Sequence, residues 1–212
     1  MTVRSRAADK GFGDGAEAED ARIERTRARL AAAVLSLAAE RDITSVSVSE
    51  LTRRAGINRS TFYEHARTPV ELLTRVLSCE LDMVRRRGMD QLERDGLLLR
   101  DLTRSTLHAI LAHVLRHEDV YGGVGRASAR FALRVVLAEH IEQSMLTIFR
   151  DGFVSPPLPG PEAAALYAAQ LAHGAAGAVE AWLHLPGPRD ERMLLAAIEA
   201  MYPPWFAPHR AL

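Results

Sequence analysis

Residues 47–65 constrain the fold most, because three helix-punctuating signals fall within them at close and ordered spacing. Ser47 is followed three residues later by Glu50, the pattern of a capping box, so a helix is predicted over about 48–55. Gly56 then stands where a left-handed residue closes a helix, Ile57 can pack inward, and Asn58 can cap a short helix over about 59–65. The local reading is helix, tight turn, helix.

The flanks extend this unit. Ala31, Val34, Leu35 and Ala38 recur at helical spacing and predict a helix over about 22–41, with arginines on its outer face. Residues 42–47 are short, polar and β-branched, a connection. Thr68-Pro69 restarts the chain as cap and first helical residue. A long helix follows through Leu72, Leu73, Val76, Leu77, Leu81 and Val84, and Arg85-Arg86-Arg87-Gly88 reads as a solvated basic patch near its end. Beyond about residue 100 no strand alternation is visible. Helices are predicted near 100–118, 126–150, 161–185 and 189–202, broken at Gly122-Gly123, at the proline-rich stretch 155–161 and at Pro186-Gly187-Pro188. The expected class is all-α, with no internal repeat.

With 212 residues the chain can bury a core without staples, and its single cysteine, Cys79, cannot close an internal disulfide. No apolar run of about 18 residues would span a membrane. Residues 1–21 lack the apolar stretch of a signal peptide and read as a disordered leader, so a cytoplasmic protein is expected. Net charge is zero but unevenly spread: residues 22–67 hold nine arginines (Arg22, Arg25, Arg27, Arg29, Arg41, Arg53, Arg54, Arg59 and Arg67) against five acids. That segment is the basic one.

A two-helix unit of this kind can set its second helix in the DNA major groove while the first crosses the backbone. The second helix offers Arg59, Ser60, Thr61, Tyr63 and His65 as donors around one apolar anchor, Phe62. Arg59 can chelate a guanine, Thr61 can touch a base edge or thymine methyl, and Tyr63 can donate to a phosphate. Ser47 and the first N–H groups of its helix form a phosphate site. A short polar helix with a capping serine also occurs without any DNA role, so the pattern alone leaves both readings open.

The full run from Val46 to His65, followed by Glu71-Leu72-Leu73, resembles the N-terminal domain of TetR-family transcriptional regulators over roughly residues 24–84. The resemblance implies about nine helices, the first three binding DNA and the rest forming a dimerisation and ligand domain. It divides the chain into a leader (1–21), a helix-turn-helix domain (22–67) and a C-terminal domain (68–212). It places Ser47, Arg59, Ser60, Thr61, Tyr63 and His65 where such proteins meet DNA. Ala66 stands where an aromatic is usual, and Pro69 where a phosphate-binding lysine usually opens the next helix. Arg67 can supply that charge.

In the C-terminal half, Ala165, Ala169, His173, Gly177 and Ala181 form one row of mostly small residues on a predicted helix, and Ala168, Ala172 and Ala176 another. With Leu194, Ala197, Ile198 and Met201 they suit either a four-helix interface between two chains or ordinary packing within one; the family likeness favours a homodimer on a palindromic operator in double-stranded DNA. A pocket for an unidentified small molecule, again implied by the family, is expected among Leu107, Leu111, Phe131, Val135, Phe149, His173 and Trp182, all of which also read as core or packing positions. His173 meets either a ligand or a partner helix. His113 and His117 stand four apart on one helical face, a spacing that can bind metal, but no cysteine or carboxylate pattern completes a site, so no metal and no cofactor are expected. No nucleophile-base pair, phosphate-binding glycine loop or paired-carboxylate motif points to an enzyme. The expected function is a repressor released from its operator by a ligand, the alternative a ligand-independent dimeric regulator acting through a protein partner.

Overall fold

The computed structural model describes residues 11–95, 99–121 and 127–206, without side chains at 11–17, 91–95, 99–100, 102 and 127–133. Nine α-helices account for almost all of it, and no strand occurs among the described residues. They are α1 (Gly11–Glu40), α2 (Val48–Ala55), α3 (Arg59–His65), α4 (Pro69–Asp95), α5 (Leu99–Arg116), α6 (Glu118–Tyr121), α7 (Ala127–Arg150), α8 (Pro161–Leu183) and α9 (Glu191–Met201). A single 3₁₀ turn, Ile43–Ser45, joins α1 to α2; Asp42 caps it by accepting from the Thr44 amide at 2.9 Å.

Helix α1 starts at Gly11, ahead of the expected start near residue 22, so residues 11–21 of the expected leader are helical and residues 1–10 lie outside the described residues. The extension follows from composition: alanine and glutamate are strong helix formers, and Glu19–Arg22 and Glu24–Arg27 pair at (i, i+3), each at 2.6 Å. Further along, Leu30, Ala33, Val34, Leu37 and Ala38 form the buried stripe.

Helix α4 opens as its sequence predicts. Thr68 Oγ1 accepts from the Glu71 amide at 3.1 Å, the Glu71 carboxylate accepts from the Arg67 amide at 2.9 Å, and Pro69 sits at the first helical position. The helix does not end at the basic run. It passes through a buried Gly88 to Asp95, and Arg85 turns inward, its side chain paired with Asp82 at 2.9 Å, so the expectation of a solvated patch fails at Arg85. At 27 residues α4 is about 40 Å long, and it packs against α1 at one end and against α5 and α7 along its length.

The most extensive helix pairing is α7 on α8, where Ala168, Ala172, Ala175, Ala176 and Val179 are buried and let the two backbones approach. Arg104 on α5 grips Glu199 on α9 through two bonds of 2.8 and 2.9 Å. Trp182 donates from Nε1 to the Asp190 carbonyl at 3.1 Å, which fixes the α8–α9 connection. Buried apolar side chains form one continuous core from Leu30 to Phe206. No described helix is long and apolar enough to cross a membrane.

Candidate nucleic-acid interface and ligand cavity

Helix α3 has seven residues, too few to persist on propensity alone, so its position is set by its surroundings. Ser47 caps α2, its side chain accepting from the Glu50 amide at 3.2 Å. At the other end Gly56 adopts φ 63°, ψ 41°, and two bonds close the turn: Gly56 N–H to the Arg53 carbonyl at 3.2 Å and Ile57 N–H to the Thr52 carbonyl at 3.0 Å. This is the Schellman arrangement, and it fixes the angle at which α3 leaves α2. Arg29, reaching from α1, donates to the Gly56 carbonyl and occupies the space that a side chain at position 56 would need.

Two further arginines tie α2 to its neighbours. Arg54 meets Glu40 at 2.7 and 3.1 Å and Ser36 at 2.8 Å, while Arg41 pairs with Glu50. Phe62 is fully buried and anchors α3, as its sequence position implies, and Tyr63 stacks edge-on against it at 5.5 Å. Asn58 has the backbone of a cap, but its side chain makes no capping bond, contrary to expectation. Ala66 is buried beneath the end of α3, so the departure from an aromatic there is absorbed by the core.

The expected DNA-contacting residues lie together around α3. Ser47, Arg59, Ser60 and Arg67 are exposed, Tyr63 is half-exposed, and Thr61 and His65 are partly covered. The side chains of Arg59 and Arg67 have no partner among the described residues. The sequence therefore yields a compact row of donors on a helix pinned from behind.

A small, largely apolar cavity opens between α4, α5 and α7, under Tyr202 just past α9. Its volume is about 40 Å³, and Met89, Leu107, Ile110, Ile141, Met145 and Ile148 line it with polar groups from Arg85, Thr103, Thr106 and Ser144. Of the six expected lining residues whose side chains are described, only Leu107 does so. Leu111 is core, and Val135 is half-buried elsewhere on α7. Phe149 stacks against Trp205 at 6.1 Å, and Trp182 is buried under Arg189. His173 is exposed on the outer face of α8, and the Phe131 side chain lies outside the described residues. Sequence reasoning missed the polar members because Thr103, Ser144 and Arg85 face inward only by virtue of helix rotation.

A second polar cluster lies between α4, α5 and α6. The Glu80 carboxylate meets His117 Nε2 at 2.9 Å and His113 Nδ1 at 3.2 Å, while His113 Nε2 lies 2.7 Å from the Tyr121 hydroxyl. A carboxylate thus joins the two histidines after all, from a different helix. Burial and the neighbouring His117 hold His113 down to about 4, and burial pushes the Tyr121 hydroxyl well above its usual value.

Residues 30–76 match the family model described as bacterial regulatory proteins, tetR family. That segment, from α1 into α4, is thus similar to the DNA-binding domain of that family. Solved structures of TetR-family proteins share the fold beyond that domain. The FadR repressor of Thermus thermophilus, solved in complex with lauroyl-CoA, superposes with a TM-score of 0.59 at 17% identity over 82% of this chain and 91% of its own. RolR bound to resorcinol gives 0.52 at 22% identity over 84% and 87%, and a TetR regulator from Rhodococcus sp. RHA1 gives 0.52 at 19% over 84% and 93%. At such identities the likeness is one of fold.

Proposed function

We propose that this protein is a TetR-family regulator, a cytoplasmic homodimer that binds a palindromic operator as a repressor and is released by a small molecule. Two units carry it: the reading head at 22–67 and the dimerising and ligand-binding body at 68–212. The observation that carries the reading is the donor row on α3, held in one orientation by Phe62, the Gly56 turn and Arg29. Arg59, Ser60, Thr61 and His65 read base edges. Ser47, Tyr63 and Arg67 hold phosphates.

Dimerisation is supported by the outer face of α8 and α9. Ala168, Ala172 and Ala176 pack inward, whereas Ala165, His173 and Ala181 face out beside exposed Leu166, Met193, Ala197 and Met201. An exposed apolar face next to a row of small residues suits a second copy of the same two helices. Ligand response is supported by the cavity and by α4, one continuous helix from the reading head to the cavity wall. At about 40 Å³ the cavity admits only a few waters, so a ligand binds a more open state and shifts the balance between two arrangements of α4. The same small volume favours a second reading, a ligand-independent dimer acting through a protein partner.

The test is selection of binding sites from random duplex DNA, then affinity measurement on the selected site for the wild type and Arg59→Ala. A palindrome bound by a dimer, with affinity reduced about 5- to 100-fold by the substitution and the melting temperature unchanged, supports the DNA reading. No enriched sequence refutes it. A small molecule that weakens the complex separates the first reading from the second.

A further inference from the structure

We propose that Glu80, His113 and His117 form a binding site for one divalent transition-metal ion of the zinc class. The three ligand atoms all lie within 4.8 Å of one another. A tetrahedral ion with bonds of about 2.0–2.1 Å separates its ligands by roughly 3.3–3.4 Å. Glu80 Oε2 already stands 2.9 Å from His117 Nε2 and 3.2 Å from His113 Nδ1, so the carboxylate withdraws by a few tenths of an ångström while the two ring nitrogens, within 4.8 Å of each other, settle at the tetrahedral separation to admit the ion. Two imidazoles and one carboxylate are the donor set that zinc accepts with an open fourth position, which water fills.

The surroundings suit this use. His113 and His117 are a turn apart on α5, so one rigid element presents both rings, while Glu80 comes from α4. The outer nitrogen of His113 is held by the buried Tyr121 hydroxyl at 2.7 Å. With metal bound, the His113 proton sits on Nε2 and is donated to the Tyr121 oxygen, leaving the Nδ1 lone pair for the ion; such a partner orients a ligating imidazole. Without metal, Glu80 accepts from both rings. Arg116, 3.6 Å from Glu80 and largely exposed, turns to solvent when the ion arrives. His113 closes the site inwardly, and partly exposed Glu80 leaves a path from solvent.

The experiment uses the full chain, freed of metal by chelator dialysis and carrying no polyhistidine tag. Titration with Co²⁺ followed by visible absorption, and with Zn²⁺ in competition with a chromophoric chelator, reads stoichiometry and affinity without any DNA. One ion per chain is expected, with Zn²⁺ displacing Co²⁺. Glu80→Gln and His117→Ala each weaken it at least tenfold, Tyr121→Phe weakens it about tenfold through His113 alone, and substitution of the exposed His108, His108→Ala, leaves it unchanged. Circular dichroism confirms that each variant is folded; if one is not, the other ligand variant decides. Absence of a bound ion, or binding that survives both Glu80→Gln and His117→Ala, overturns the proposal.

Discussion

Replacing Gly56 with alanine tests whether the turn between α2 and α3 is held as described. An alanine at φ 63° costs about 1–2 kcal/mol in the left-handed region, offset by roughly 0.4–1 kcal/mol from the stiffer unfolded chain. The new methyl group also displaces the Arg29 guanidinium from the Gly56 carbonyl, and at this exposed position that bond contributes about 1 kcal/mol. The expected loss is about 2 kcal/mol, or roughly 4–8 °C in melting temperature for a chain of this size. Urea denaturation at fixed protein concentration measures it, and the same substitution in an Arg29→Ala background should cost only about 1 kcal/mol, since the clash is already gone. Equal costs in the two backgrounds would refute the contact between Arg29 and the turn; no cost in either would refute the left-handed turn itself.

Two further outcomes follow from burial. His140 is buried with neither ring nitrogen hydrogen-bonded, and burial, with Arg85 nearby, holds it down to about 4 despite Asp82 at 3.9 Å. Its stabilising share is therefore complete above about pH 6.5 and is lost as the pH falls toward 4, by up to about 3 kcal/mol; His140→Leu should flatten that part of the stability-pH profile, and an unchanged profile would show that the ring is hydrated. Leu166, 74% exposed on α8, lies on the proposed dimer face, so Leu166→Glu should yield monomers in sedimentation with little change in helix content, and a persisting dimer would place the interface elsewhere.

Legibility in the sequence followed the range of each signal. The capping serine, the left-handed glycine and the threonine-proline start act within a few residues, and α2, α3 and the opening of α4 came out where those signals put them. Phe62 was legible for the same reason. Helix α6 has four residues and no periodicity to reveal it, and α1 begins where glycines and acids mask good helix formers. Contacts between distant residues were not legible at all. Glu80 reaches two histidines more than 30 positions away, and nothing near Glu80 announces it. The cavity polar groups and the division of α8 into an inward and an outward alanine row depend on how whole helices rotate against each other, which small residues on every side of α8 leave undetermined.

The arginines that build the reading head bear on how its grip on DNA responds to salt. Counting the sequence suggests nine positive side chains near the duplex, yet Arg22, Arg27, Arg41 and Arg54 are already neutralised by adjacent carboxylates and Arg29 is committed to a backbone carbonyl. Arg25, Arg53, Arg59 and Arg67 remain. Each phosphate neutralised by a protein frees condensed cations from duplex DNA, and log affinity falls with log salt by about 0.9 for each one. On the proposed function, the ions shed per chain are thus set by at most four side chains of this segment rather than nine, and most of its charge is spent on shaping the head instead of holding the double helix.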